Sequence, residues 1–253
     1  MRKFLKVLAL LTNIFVFIFF FISTRCIFLP QKRPYYISRL TRIFAKAAAL
    51  IIGIKIKIHG NKNLPNQKGI FFVTNHVSYL DGIIISSIFP LVFIARGDLK
   101  QWPLFGIFTL LSDTIFVNRL NPSGLHREIG KISSFLTNGI NVILFPEGTT
   151  TDGNSITPFK SSFFEAPLVS GSLIVPFTIK YRKINTEPID EKNKDLIFWY
   201  GDMDFVPHLL GVLALKSIEV DLSILKPIEM RDVSDRKELS SLSKKAIETH
   251  LTQ

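Results

Sequence analysis

The chain has 253 residues, 47% of them hydrophobic, with a formal net charge of +11 and an isoelectric point near 9.8. That length supports one large domain with peripheral elements, and a mean hydropathy of +0.30 exceeds what a water-soluble domain needs. A single cysteine, Cys26, excludes an internal disulfide or a multi-thiolate metal centre, and the dispersed lysines, without a nucleic-acid motif, point to another anionic partner.

The hydrophobic surplus sits at the front. Val7 to Ile22 is broken only by Thr12 and Asn13 and is flanked by Arg2, Lys3, Lys6 and Arg25. Eighteen residues lie between Lys6 and Arg25, about the lower limit for crossing a bilayer. A secretory signal would look similar, but Thr24-Arg25-Cys26-Ile27-Phe28 offers no small-x-small cleavage site. An uncleaved membrane anchor over 7–22 is expected, and basic residues at both ends leave its orientation open. Leu40, Ile43, Phe44, Ala47, Leu50 and Ile51 then recur at helical spacing, with Arg39, Arg42 and Lys46 on another face. This pattern predicts an amphipathic helix over 39–52 lying against anionic headgroups, with a core-packing helix as the competing reading. Ile54-Lys55-Ile56-Lys57-Ile58 alternates strictly, as a half-buried strand with a basic outer face does. Residues 1–58 are accordingly assigned to a membrane-anchoring region and 59–253 to a catalytic domain.

Gly69-Ile70-Phe71-Phe72-Val73-Thr74 is a short β-branched and aromatic run that reads as a buried strand. It leads straight into Asn75-His76-Val77-Ser78-Tyr79-Leu80-Asp81-Gly82. Side chains just past the carboxyl ends of strands line the crevice where α/β proteins bind ligands. Five residues along a regular helix rotate by about 500°, which leaves His76 and Asp81 on different faces. A non-helical link must therefore bring them together, as a general base and the carboxylate that fixes its tautomer. Taken alone, such a pair is more often a surface histidine and a helix cap.

Thr114 to Arg119 reads as a strand ending in an arginine, a side chain suited to holding a phosphate in a fixed plane. Ser123 caps a helix with Leu125, Ile129, Ile132 and Leu136 on one face. Asn141 to Phe145 is another strand and runs into Pro146-Glu147-Gly148-Thr149-Thr150-Thr151-Asp152-Gly153. Glycine there permits close approach, and the hydroxyls and amides can bond an anion or a glycerol oxygen. Leu173 to Ile179 is a further strand, whose Pro176 suggests an edge or a bulge. Tyr181 to Asp195 reads as a solvated loop or hairpin, residues 218–225 as an alternating strand, and the tail from Ser234 as a polar helix. The whole predicts an α/β fold: a central mixed sheet with flanking helices, preceded by the anchor and the interfacial helix.

The four blocks, Asn75 to Asp81, the run ending at Arg119, Phe145 to Thr149 and Val175-Pro176, resemble those of the glycerolipid acyltransferase family. Its best-known members are the 1-acylglycerol-3-phosphate acyltransferases. The blocks stand in that family's order and at similar spacing, over roughly residues 70 to 180. The resemblance implies His76 as the base and Asp81 as the residue that orients it. It implies an acceptor site shaped by Asn75, Arg119, Glu147, Gly148 and Thr149, with Lys160 at a position that could meet a phosphate or a headgroup. It also implies acyl-CoA or acyl carrier protein as donor, a lysolipid acceptor, no metal and no cofactor. The catalytic domain is expected on the cytoplasmic side of an anionic membrane, the inner membrane in a bacterium.

Two departures bear on the acceptor. Thr150 stands where many phosphatidic-acid-forming members have an arginine. Phe198-Trp199-Tyr200-Gly201-Asp202-Met203, with Pro207-His208-Leu209, is similar to one bacterial subgroup. The expected acceptor is 1-acylglycerol-3-phosphate, with a lysophospholipid diester or a lyso-ornithine lipid as alternatives. His208 itself reads as structural.

The chain lacks a G-x-S-x-G elbow, so direct attack on the thioester is expected rather than an acyl-enzyme. A metal-dependent hydrolase using His76, Asp81, Glu147 and His208 would want H-x-x-x-H or clustered carboxylates, which this sequence does not have. An inactive membrane adaptor would have no need of a His–Asp pair beside Arg119 and Glu147.

Overall fold

The computed structural model describes residues 1–61, 63, 64, 69–97, 99, 106, 112–117, 122–229, 233 and 235–253. Two long helices, α1 (Arg2–Ile27) and α2 (Arg33–Ile52), lie antiparallel. Asn13 Nδ2 donates to Phe44 O, and the rings of Phe17 and Phe20 tilt against Phe44. The outer face of α1 presents Phe4, Leu8, Leu11, Phe15, Phe19 and Ile22 to the surroundings. Mean hydropathy reaches 2.5 along it, and its length of about 39 Å suffices to cross a membrane. Both of its ends are nevertheless tied to the rest of the protein. Arg2 donates to Lys216 O, Lys6 Nζ to Ile52 O and Leu215 O, and Arg25 pairs with Asp113 at 2.8 Å. Helix α1 therefore lies along the domain rather than projecting from it.

Helix α2 begins earlier than the apolar periodicity suggests, with Pro34 in the first turn, where a missing N–H costs nothing. Ile37, Ala48, Ala49 and Ile52 are buried, while Ile43, Leu50, Tyr35 and Tyr36 stay exposed among Arg39, Arg42 and Lys46. One side of the helix thus packs in the core, as the competing reading has it, and the other presents apolar and basic side chains to the surroundings.

The strands β1 (Ile54–His59), β2 (Phe71–Thr74), β3 (Val92–Arg96), β4 (Ile115–Val117), β5 (Val142–Leu144), β6 (Ile174–Ile184) and β8 (Ile218–Ile224) are ordered β1-β8-β6-β2-β5-β3-β4. A short β7 (Glu187–Pro188) closes a hairpin on the end of β6. Strand β8 is antiparallel to β6, and β6 is parallel to β2, so the sheet is mixed, as the sequence predicts. The division expected between residues 58 and 59 falls inside β1, which belongs to this sheet. The partner of its isoleucine stripe is β8, far along the chain, Ile54 facing Ile218 and Ile58 facing Leu222.

Strand β6 departs from the sequence expectation. Pro176 suggests an edge or a bulge, yet β6 lies between β2 and β8 in the interior of the sheet. The ring is tolerated because β8 pairs with β6 only from Phe177 onward, so Pro176 sits where no ladder N–H is required, and its carbonyl accepts from Leu225 N.

Helices α3 (Leu80–Ile88) and α6 (Phe205–Ala214) join α2 on one face, around Phe72, Ile84, Phe177 and Val220. On the other face α4 (Pro122–Thr137), α5 (Glu165–Ser170) and α7 (Arg236–Leu251) pack around Phe71, Ile132, Phe164 and Leu239. Each cluster excludes water from one side of β2, all four residues of which are buried.

Candidate active site

Strands β2 and β5 are parallel neighbours with Val73 opposite Leu144. The two polar segments that follow them therefore leave the sheet side by side. This is why His76 and Glu147, seventy-one positions apart, meet: the His76 amide donates to Glu147 Oε1 at 2.9 Å.

Residues 75–79 are non-helical and α3 starts at Leu80, so Asp81 lies in the first helical turn and faces back toward His76. His76 Nδ1 stands 2.9 Å from Asp81 Oδ2. The same oxygen accepts the amides of Val77 and Ser78 at 2.8 and 3.0 Å, and Oδ1 accepts the Tyr181 hydroxyl at 2.7 Å. Asp81 is fully buried, and four donors are what such a carboxylate requires. With Nδ1–H directed at the carboxylate, Nε2 keeps the lone pair that can accept a proton. The ring stacks on Phe145, centroids 3.9 Å apart and planes 20° from parallel, which limits its rotation.

Glu147 and Asn75, both expected at the acceptor site, are brought to His76 but engage the protein itself. Glu147 is 4% exposed, and its Oε2 accepts both the amide and the hydroxyl of Thr157 at 3.1 Å. Burial pushes its carboxyl above the usual range, and the bonds from Thr157 and His76 pull it back. Asn75 donates from Nδ2 to Ile179 O at 3.0 Å and accepts Ile179 N at 2.9 Å, pinning the end of β2 to β6. Gly148 adopts φ +78, which the turn after Glu147 requires, and its amide donates to Phe145 O. The His76 carbonyl accepts the Thr151 amide at 3.0 Å. Thr149 and Lys160 are exposed, and Lys160 donates its amide to Pro146 O. Arg119 lies outside the described residues. No group of three or more metal-binding His, Cys, Asp or Glu side chains occurs among the described residues.

Tyr181 escapes the sequence reading because the run 181–195 is so polar that it reads as a loop. The signal was there: Phe177, Ile179 and Tyr181 continue one alternation, which puts Tyr181 on the face that carries Asp81. Burial and the Asp81 charge raise the phenol far above its ordinary range, so it remains a donor. His208, read as structural, accepts the Tyr79 hydroxyl at Nδ1 (3.0 Å) and donates from Nε2 to Phe198 O (2.9 Å). The carbonyl only accepts, so the proton must sit on Nε2.

Residues 55–180 match the family model described as Acyltransferase. Over 210 residues the chain is 34% identical to the lyso-ornithine lipid O-acyltransferase of Rhizobium meliloti, covering 80% of this chain and 71% of that one. The chain belongs to the acyltransferase family. It is also 26% identical over 219 residues to the 1-acyl-sn-glycerol-3-phosphate acyltransferase of Neisseria meningitidis, covering 86% of this chain and 81% of the other. The crystal structure of the 1-acyl-sn-glycerophosphate acyltransferase PlsC from Thermotoga maritima shares the fold, with a TM-score of 0.67 at 20% identity over 100% and 97% of the two chains. This acyltransferase is thus an enzyme of O-acyl transfer, and its apolar α1 fits membrane association.

Proposed function

We propose that this acyltransferase, which acts on a lysolipid, moves a fatty acyl group from a thioester to the free hydroxyl of a lyso-ornithine lipid. The observation that carries the chemistry is the His76–Asp81 pair, its Nδ1–Oδ2 distance 2.9 Å and its backbone clamped by Glu147 and Thr151. His76 Nε2 takes the hydroxyl proton as the oxygen attacks the thioester carbonyl. The tetrahedral intermediate collapses, the C–S bond breaks, and the thiolate leaves with that proton as a thiol. Asp81 stabilises the imidazolium in between. Because a thioester is already activated, fixing the two reactants in attack geometry supplies much of the remaining acceleration.

Support for the acceptor comes from Thr150 in place of an arginine and from the greater similarity to a lyso-ornithine lipid acyltransferase, 34% against 26%. Arg119 is assigned to the acceptor's anionic group, for which a carboxylate serves as well as a phosphate. A second reading, 1-acylglycerol 3-phosphate going to phosphatidic acid, is supported by the Neisseria relative. The donor is acyl-CoA or acyl carrier protein, both anionic and both suited to a chain of net charge +11. Such donors place the catalytic domain on the cytoplasmic side.

Purified enzyme given either donor and a panel of lysolipids, with products read by mass spectrometry, tests this. The expected kcat/KM for lyso-ornithine lipid exceeds that for 1-acylglycerol 3-phosphate by about tenfold or more. The reverse order overturns the acceptor, and transfer to no lysolipid by folded protein overturns the activity.

A further inference from the structure

Helix α6 has an apolar side that stays exposed among the described residues. Val206 and Leu210 are 48% and 37% exposed. Pro207, Gly211 and Ala214 are exposed beside them, so positions i, i+1, i+4, i+5 and i+8 form one stripe with no polar side chain. The opposite side of the helix, through Leu209, Val212 and Leu213, packs into the core shared with β2 and α3. Ten residues make about 15 Å of helix, too short to cross a bilayer.

The position of α6 gives this stripe a partner. Val7 and Leu10 of α1 pack on the core that contains Val212 and Leu213, and Lys6 Nζ donates to Leu215 O, one residue beyond α6, at 2.8 Å. The first turns of α1, whose other side is apolar and exposed, therefore pack beside α6. Arg2 and Lys216, both exposed and joined through Lys216 O, add positive charge at that junction.

We propose that α6 is a membrane-inserting element in its own right, its Val206–Leu210–Ala214 stripe entering the interface of an anionic bilayer beside α1. Burial of the stripe, rather than a headgroup contact, drives the insertion. The helix and the segment before it also hold the catalytic loop. His208 accepts the Tyr79 hydroxyl, and the Trp199 amide donates to Val77 O at 2.9 Å. Val77 and Tyr79 lie between His76 and Asp81. A bilayer-seated α6 thus fixes that loop at the membrane surface, where a lysolipid can offer its hydroxyl without leaving the bilayer. This last consequence rests on the lysolipid reading; the insertion does not.

The test begins with depth. In a Cys26→Ala background, nitroxide labels are placed through Leu210→Cys, Ala214→Cys and, as control, Lys237→Cys in the exposed first turn of α7, across the sheet. The protein is studied with and without vesicles of equal parts phosphatidylcholine and phosphatidylglycerol. On adding vesicles, the ratio of oxygen to water-soluble nickel-chelate collisions should rise severalfold at positions 210 and 214 and stay constant at 237. Chelate access at 210 and 214 equal to that at 237 overturns the proposal. That readout needs no turnover, so failure of the acyl-transfer reading leaves it interpretable. The Val206→Asp, Leu210→Asp double variant should then lose about tenfold in rate on a long-chain lysolipid embedded in vesicles. Its rate on a short-chain lysolipid, monomeric in water, should be unchanged, and equal losses on both overturn the seating of the catalytic loop.

Discussion

Replacing Tyr181 by phenylalanine removes one buried oxygen bonded to Asp81, so its effect isolates the support given to the proposed catalytic pair. The Tyr181 hydroxyl donates to Asp81 Oδ1 at 2.7 Å, while the donors from His76, Val77 and Ser78 all converge on Oδ2. The substitution therefore withdraws from Oδ1 the donor that holds the plane of the carboxylate. A hydrogen bond to a charged group contributes about 1.5–3 kcal/mol, and leaving a buried acceptor unpaired costs a similar amount. If that loss is felt when His76 becomes cationic, kcat falls by roughly 10- to 150-fold. The KM for both substrates should hold within about twofold, because binding surfaces are unchanged. Steady-state kinetics on Tyr181→Phe, with thermal unfolding to confirm the fold, measures the split. A 15N-histidine-labelled sample adds a second reading: the Nδ1–H proton of His76 should move upfield as its bond to Asp81 loosens. Full kcat, or a raised KM with kcat unchanged, refutes the view that Asp81 needs this brace.

Three further outcomes follow from the same geometry. His76→Ala should lower kcat by about 10²–10⁴-fold with folding and vesicle binding intact, and near-normal turnover in folded protein removes the base assignment. Glu147→Gln replaces one of two accepting oxygens with an amide donor facing either the His76 or the Thr157 N–H. It should cost about 1–3 kcal/mol in a denaturation experiment and lower kcat as well, whereas an undiminished midpoint excludes the clamp role. Burial lowers the His208 pKa below the usual 6.5. The unfolded chain then binds more protons as pH falls, so the stability this group contributes is full above about pH 6.5 and is lost progressively below it. His208→Gln can keep both hydrogen bonds without titrating, so the fall in melting temperature between about pH 7 and 5 should be smaller than in the parent; an identical slope rules His208 out as its source.

Much of this protein is determined by its sequence locally. Phe71 to Thr74 and Val142 to Leu144 read as buried strands from their short length and their β-branched and aromatic content, and the apolar front of the chain reads as a long helix from its length. The His76–Asp81 pair is legible only together with the blocks that follow it, since an isolated pair at that spacing reads as readily as a surface histidine and a helix cap. Tertiary structure decided what depends on neighbours distant in sequence. That Asn75 and Glu147 brace the loop follows from the pairing of β2 with β6 and β5, which brings Ile179 and the His76 amide to their polar atoms. That Pro176 sits inside the sheet depends on where β8 stops. Tyr181 reaches Asp81 across 100 positions only because β6 runs past the end of β2. A buried polar atom takes whatever donor the fold brings to it, and sequence spacing carries no information about which one that is.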